Sequence, residues 1–452
     1  MKLPTLTLIL NLLCLLFLAC KKETEVITPN ATDCLLTETE QAVIAQIETN
    51  FAYPFDGAVP TIEDTNLQPM IDYLSNAKFV GLGEATHGTQ EFYQIKDKIF
   101  RQLVMQKGFR AIIFEIPWGN ALVVNDFVTQ GIGTANSSID QTYYWTYDTQ
   151  EVRALVQWMR DYNENLPEEE RILFVGCDVQ GGNFEEEKKV ITSYLEKVMP
   201  DSIALVLDAY KDLPFTDLFS YANSSASVQE KNIEGTAQIY DFFVAHEEEM
   251  IAATSYFEYQ VVLMAAHVVQ HRELVYRTQD FGWTRDSLMA LYSEWWQHIL
   301  GEETQVALWA HNAHVMNGAS LAQNWMGTYL KARQGENYKN VGFSFGQGSF
   351  NAFLAGASAQ AVGNVRRQAI GEPVCRTVNY LLNQVEGDQY YLIFDELTGE
   401  AQSYFNSTQK FIQLGAGFNV QYIDRHYTRE YRLSALFDVL IHFDRTRESL
   451  LK

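Results

Sequence analysis

Ala77-Lys78-Phe79-Val80-Gly81-Leu82-Gly83-Glu84-Ala85-Thr86-His87-Gly88-Thr89-Gln90-Glu91-Phe92 is the stretch whose reading decides the fold. Apolar residues run to Leu82 and stop at a glycine. A Glu and a His three apart follow, then a second glycine. The pattern reads as a strand that turns directly into a helix. In α/β folds such turns lie at the carboxyl ends of strands, where ligands bind. A carboxylate and an imidazole on one short turn can share a proton, hold a metal or activate water.

Outward from this turn, apolar runs alternate with segments of helical period. Residues 89–107 read as a helix with Phe92, Ile95, Ile99 and Leu103 on one face and Gly108 as its stop. Residues 109–115 form a second strand, ended by Pro117 and Gly119, and residues 171–176 a third, closed by Cys177-Asp178. Residues 150–163 form a helix between them, with Val152, Leu155, Val156 and Met159 on its buried side. From about residue 185 to 300 strand signals fade, and amphipathic patterns take over at 203–211, 229–246, 257–277 and 284–300. Strands return at 305–310, 338–345, 389–394, 418–423 and 436–443. The expected class is α/β: a mainly parallel central sheet flanked by helices, with an inserted helical subdomain. The expected divisions are a leader at 1–19, a tether at 20–40, the α/β core at 41–184 and 304–452, and the helical insertion at 185–303.

The leader reading rests on Met1-Lys2, a short basic start, followed by an apolar run to Ala19. Phe17-Leu18-Ala19-Cys20 resembles a bacterial lipoprotein signal cut before Cys20, which implies lipidation of Cys20 and a place in the cell envelope, lipid-anchored. Cys34, Cys177 and Cys375 remain, an odd and scattered set with no C-x-x-C spacing, so no disulfide framework is expected and stability must come from a core. A chain of 452 residues with 47% hydrophobic content can supply one. Fifty-seven acidic against thirty-three basic side chains give a net charge of −24, which excludes nucleic acid as a partner. The same charge mildly favours neutral or cationic small molecules.

Polar residues recur at the expected strand ends: Glu84 and His87, then Glu115, then Asp178, then His311-Asn312-Ala313-His314. In a parallel sheet these ends share one edge, so residues distant in sequence converge there. Taken in order, Gly83-Glu84-Ala85-Thr86-His87-Gly88, Glu115, Trp158-Met159-Arg160 with Asn163, Gly176-x-Asp178-x-Gln180, Arg285-Asp286 with Met289-Ala290, Trp309-x-His311-Asn312-x-His314 and Met326-Gly327-x-Tyr329-Leu330 resemble the erythromycin esterase family. The match in order and spacing spans about residues 70 to 445. The resemblance implies hydrolysis of a cyclic ester with His87 as general base, no cofactor, and a role in macrolide resistance. A neutral imidazole can take a proton from water and return it to a leaving alkoxide. Glu84 or Glu115 then fixes its tautomer, as a carboxylate does in a triad, and Arg285, His311 and His314 stabilise the oxyanion or position the carbonyl. Lys96, Glu91 and Asp178 are the candidate substrate contacts. Lys96 stands nine residues after His87, where erythromycin esterases carry Arg, and Tyr292 stands where an Asn usually follows Met-Ala. Lysine keeps the charge and loses the planar fork.

Two rival patterns compete. Gly342-Phe343-Ser344-Phe345-Gly346 matches the G-x-S-x-G of serine hydrolases, yet Gln347-Gly348-Ser349 is a poor helix start, so a strand is expected instead of a nucleophile elbow. Glu84, His87, His311, His314, Glu115 and Asp178 also hold enough nitrogen and oxygen to ligate zinc, iron or manganese. That makes a metal-dependent hydrolase, or a haem- or metal-binding envelope lipoprotein without catalysis, the alternatives to a metal-free site. Trp118, Tyr143, Tyr144, Trp145, Tyr147, Trp295 and Trp296 divide between core and cleft lining.

Overall fold

The computed structural model describes residues 34–60, 64–181, 184–213, 220–318, 324–356 and 361–452. Ten of its strands form one sheet: β1 (Tyr53–Pro54), β2 (Phe79–Leu82), β3 (Ala111–Pro117), β4 (Leu173–Asp178), β5 (Val306–Trp309), β6 (Tyr338–Ala355), β7 (Ala361–Ile370), β8 (Gln389–Ile393), β10 (Gly417–Phe418) and β12 (Val439–Thr446). β9 (Gln409–Ile412) and β11 (Thr428–Tyr431) pair separately. The main path runs β1-β8-β12-β6-β2-β5-β3-β4. The six strands from β12 to β4 are parallel, while β8, β1 and β7 join antiparallel.

The parallel strands are short apolar runs because both faces are covered. Successive side chains feed two different cores: Phe79, Ile113, Val175 and Leu308 enter one, and Val80, Leu82, Ile112, Phe114 and Trp309 the other. Gln90–Lys107 covers the second face and stops at Gly108, whose φ of 75° caps the helix in the left-handed region. Between Glu185 and Leu300 the described residues form only helices, the longest being Tyr256–Thr278. A fully buried bidentate pair anchors that helix, Arg272 Nη1 and Nη2 lying 3.0 Å from the Glu187 carboxylate. Glu187 also accepts from the Gly119 N–H at 3.0 Å, and Gly181 N–H donates to Tyr276 Oη at 2.8 Å. The helices are thereby tied to the carboxyl ends of β3 and β4.

Three sequence expectations are corrected. Cys34 and Cys375 form a disulfide, with Cα atoms 4.9 Å apart at a sequence separation of 341. Sequence spacing carries no trace of such a long-range pair, and Cys177 stays free and buried. The expected strand at 418–423 is only Gly417–Phe418. Asn419 accepts from the Gln421 N–H, and this side-chain cap turns the chain into helical turns. The strand at 338–345 continues to Ala355 and pairs with β7, which has no counterpart in the sequence reading. Cys20 lies outside the described residues, and among those residues no helix is long and apolar enough to cross a membrane.

Candidate active site

The chain leaves β2 at Gly83 because nothing larger fits: a Cβ there would meet the Asn312 side chain and the Val341 carbonyl. Gly88 is needed for the same reason, since a Cβ would fall on the Asn351 backbone. Between these glycines the turn carries Glu84, fully buried, and His87, with 13% of its side chain exposed. His87 Nδ1 lies 2.7 Å from Glu84 Oε1. The other carboxylate oxygen accepts from Lys96 Nζ, itself fully buried and 4.0 Å above the Trp309 ring. Burial pushes the Glu84 carboxyl up, but Lys96 and His87 outweigh it and leave the group below its usual range. The same burial pulls the Lys96 ammonium down to about 8, with Glu84 resisting. An ionised Glu84 on Nδ1 places the ring proton there and turns the Nε2 lone pair outward, and Nε2 has no hydrogen-bond partner among the described residues. Tyr93 Oη donates to the His87 carbonyl and lies 2.5 Å from the Thr146 carbonyl, fixing the turn from beneath.

Opposite this turn the charges form a closed web. Arg285 donates Nε to Asp178 Oδ1 at 2.9 Å and Nη2 to Asp178 Oδ2 at 2.7 Å, and Nη2 also reaches Glu115 Oε1 at 3.0 Å. The second Glu115 oxygen accepts the His311 backbone N–H at 3.0 Å. Burial pushes the Glu115 carboxyl up, yet the His314 and Arg285 cations hold it well below the carboxylate range. His314 spends both ring nitrogens on carboxylates: Nδ1 lies 2.6 Å from Asp286 Oδ1 and Nε2 3.2 Å from Glu115 Oε1. Burial pulls this imidazole down, but Asp286 and Glu115 carry it up to about 10.

His311 sits on the same turn with the opposite character. Its Nε2 faces the Leu414 carbonyl at 2.9 Å and its Nδ1 accepts the Ala313 N–H at 3.2 Å, which assigns a neutral ring protonated on Nε2. Burial, reinforced by His87, pushes it down to about 4. Its ring lies 4.9 Å from that of His87, centroid to centroid. Asn312 ties the turn down, pairing its amide with the Phe343 backbone at 2.8 and 3.0 Å and its own N–H with the Glu84 carbonyl at 2.9 Å.

Glu84, His87, Lys96, Glu115, Asp178, Arg285, His311 and His314 therefore lie in one connected site. Lys96 stands behind Glu84, out of reach of solvent. Glu91 lies elsewhere: its carboxylate takes the Arg447 N–H at 2.8 Å and Nε at 3.0 Å and lines a separate cavity of about 850 Å³. Ser344 lies fully buried inside β6, with Asn379 and His442 each 3.1 Å from its Oγ, so the G-x-S-x-G run is a strand without an elbow. Trp118 and Trp296 stack in the core and Tyr147 packs on Phe114, whereas Tyr143 is exposed and Trp325 meets His314 edge-on at 5.5 Å. Sequence reasoning assigned no role to Asp286, Asn312 or Tyr93, although Asp286 stands beside Arg285 and Asn312 between the two histidines. Among the described residues no group of three or more His, Cys, Asp and Glu side chains is arranged to hold a metal ion.

The erythromycin esterase family model matches residues 104–446. An erythromycin esterase type II of Escherichia coli is 22% identical over 324 residues, covering 64% of this chain and 74% of that protein. A putative hydrolase of Bacillus subtilis (strain 168) is 22% identical over 324 residues, covering 64% of this chain and 69% of its own length. Among solved structures, a Bacillus cereus protein aligns with a TM-score of 0.81 at 22% identity over 92% of this chain and 100% of its own. A protein described as a succinoglycan biosynthesis protein gives 0.80 at 22% identity, with the same coverage. An erythromycin esterase mutant in its open conformation gives 0.64 at 16% identity, over 89% of this chain and 99% of its own. These likenesses bear on the fold.

Proposed function

This chain belongs to the erythromycin esterase family, and from that premise we propose that it hydrolyses a carboxylic ester with water activated by the Glu84–His87 pair. The observation that carries the proposal is His87 Nε2, the one unengaged ring nitrogen among the described histidines of the site, with Glu84 behind its partner nitrogen and Lys96 behind Glu84. Nε2 takes a proton from water as the oxygen attacks the ester carbonyl. Glu84 stabilises the resulting imidazolium, and Arg285 and His314 supply positive charge near the developing oxyanion. Collapse breaks the carbon–oxygen bond, and the proton on Nε2 passes to the departing alkoxide. His311 is engaged at both nitrogens and packs His87 in place.

The substrate we propose is a macrolactone, and turnover of it would confer macrolide resistance. The protein would act in the cell envelope, held by a lipid on Cys20, as the leader-like residues 1–19 support. The test is mass spectrometry of a macrolide panel and a set of simple esters, looking for gain of one water. Turnover by the native chain and its loss in His87→Asn are expected. A fully active His87→Asn enzyme would refute the base assignment. Incorporation of labelled fatty acid into the native chain, lost in Cys20→Ala, tests the anchor.

A further inference from the structure

We propose that Asp286 is a positioning residue of the site, which acts through His314 to keep Glu115 fixed and paired. This rests on the hydrolase reading only for its effect on turnover; the effect on His314 itself stands apart from it.

Asp286 lies in the first turn of the helix Trp283–Leu300, next to Arg285. Its Oδ1 faces His314 Nδ1 at 2.6 Å and accepts the Met326 N–H at 2.8 Å, so the carboxylate is held from two sides. A helix N-terminus favours negative charge there as well. Among the described residues, the charged groups that face the His314 ring come from two elements. Asp286 and Arg285 belong to this helix, with Arg285 Nη1 at 3.3 Å from Nε2, and Glu115 stands at the end of β3. The remaining imidazole of the site outside this turn, His87, reaches the web through Glu115. A neutral His314 could donate from only one nitrogen, and with that proton on Asp286 it would leave Glu115 to Arg285 and the His311 N–H alone. An imidazolium donates from both, bridging Asp286 to Glu115.

The chain of contacts then reads outward. Asp286 orients the ring, the ring donates to Glu115 Oε1, and Glu115 Oε2 receives the His311 N–H beside His87. Removing the Asp286 charge while keeping its shape removes the larger of the two attractions that keep the proton on His314 against burial. The ring then loses its proton near neutrality, and Glu115 loses one of its partners.

Two measurements test this on the full chain. In nitrogen-15 histidine-labelled protein, one ring should show the imidazolium signature at pH 8, absent in Asp286→Asn and restored in Asp286→Glu. That readout needs no substrate. In hydrolysis of p-nitrophenyl acetate, the ratio of activity at pH 8 to that at pH 6 should fall at least about tenfold in Asp286→Asn relative to the native chain, since one unit of pKa is a tenfold change in ionised fraction. An imidazolium that persists at pH 8 in Asp286→Asn would overturn the proposal. So would an unchanged activity ratio in a variant whose ring has lost its proton. If the native chain does not hydrolyse the ester, the hydrolase reading fails while the spectroscopic arm still decides the role of Asp286. Should Asp286→Asn not fold, His314→Gln serves in its place: it must abolish the pH 8 imidazolium signal, and survival of that signal assigns it to another ring and overturns the proposal.

Discussion

The two sides of the site are built on opposite plans. On the β2 side, three groups stand in line, Lys96 to Glu84 to His87, and the line ends on a nitrogen with no partner among the described residues. On the β3–β4 side, Asp178, Arg285, Glu115, His314 and Asp286 form a web in which each group is held by at least one other. The difference teaches where chemistry resides. A group with every lone pair and proton engaged sets geometry and charge, and a group with one left over reacts. The H-x-x-H turn stands at the seam. His311, satisfied by backbone, is kept neutral, and His314, satisfied by carboxylates, is kept charged.

The comparison breaks first at His87. His87→Asn should lower turnover about 10²- to 10⁴-fold, the usual contribution of a general base, and leave the melting temperature unchanged. A loss of stability of equal size would place His87 with the web instead. Arg285→Leu should do the reverse in kind. It strips a buried cation from Asp178 and Glu115 and should cost about 3–5 kcal/mol of stability, read by urea unfolding, in addition to activity. Retention of full stability would show that the web is not holding the fold together.

A third outcome concerns pH and stability. His311, at about 4, and His271, pushed by burial to about 3, take up protons in the unfolded chain before they do in the folded one. Their contribution is complete above about pH 6.5 and is lost as pH falls toward 4, at about 1.4 kcal/mol per pH unit for each group at most. His314 works the other way: with its folded value near 10, its contribution is complete below about pH 6.5 and declines as pH rises through 10. Above pH 8 Lys96, which sheds its proton earlier in the folded chain, begins to offset that decline. Asp97 and Asp438, both pushed by burial to about 6, lose stability as pH rises toward 6 and oppose the two neutral histidines there. Urea unfolding should therefore show stability declining from about pH 6.5 to pH 8, and a profile rising monotonically over that range would contradict the charge state assigned to His314. The smallest effect expected is that of Lys96→Arg. The native chain should lose activity above about pH 8 as Lys96 gives up its proton, and arginine should move that limb upward, changing the rate at pH 9 by about tenfold. An alkaline limb at the same pH in both proteins would release Lys96 from this role.

Much of this was legible in the chain, for identifiable reasons. Short apolar runs bounded by glycine betrayed β2 to β5, because strands buried on both faces carry little else. The helices between residues 185 and 300 declared themselves by their period. The site was legible as a set of strand-end residues, since a parallel sheet collects its carboxyl ends on one edge. Glu91 was misjudged because a helix's first turn looks the same whether it faces a cleft or a neighbouring strand. Here Arg447 claims it. Asp286 was passed over because its meaning depends on which histidine it meets.

The sequence by itself determined the alternation of strands and helices, the kinds of side chain available at the sheet edge, and the Glu84-x-x-His87 turn. Those follow from local geometry and from the pattern of burial. Only the tertiary structure decided that Cys34 meets Cys375 across 341 residues, that Lys96 lies behind Glu84, and that of two histidines three residues apart one is neutral and the other charged. A disulfide or a charge state is set by what comes within a few ångströms in space, and separation along the chain does not encode that.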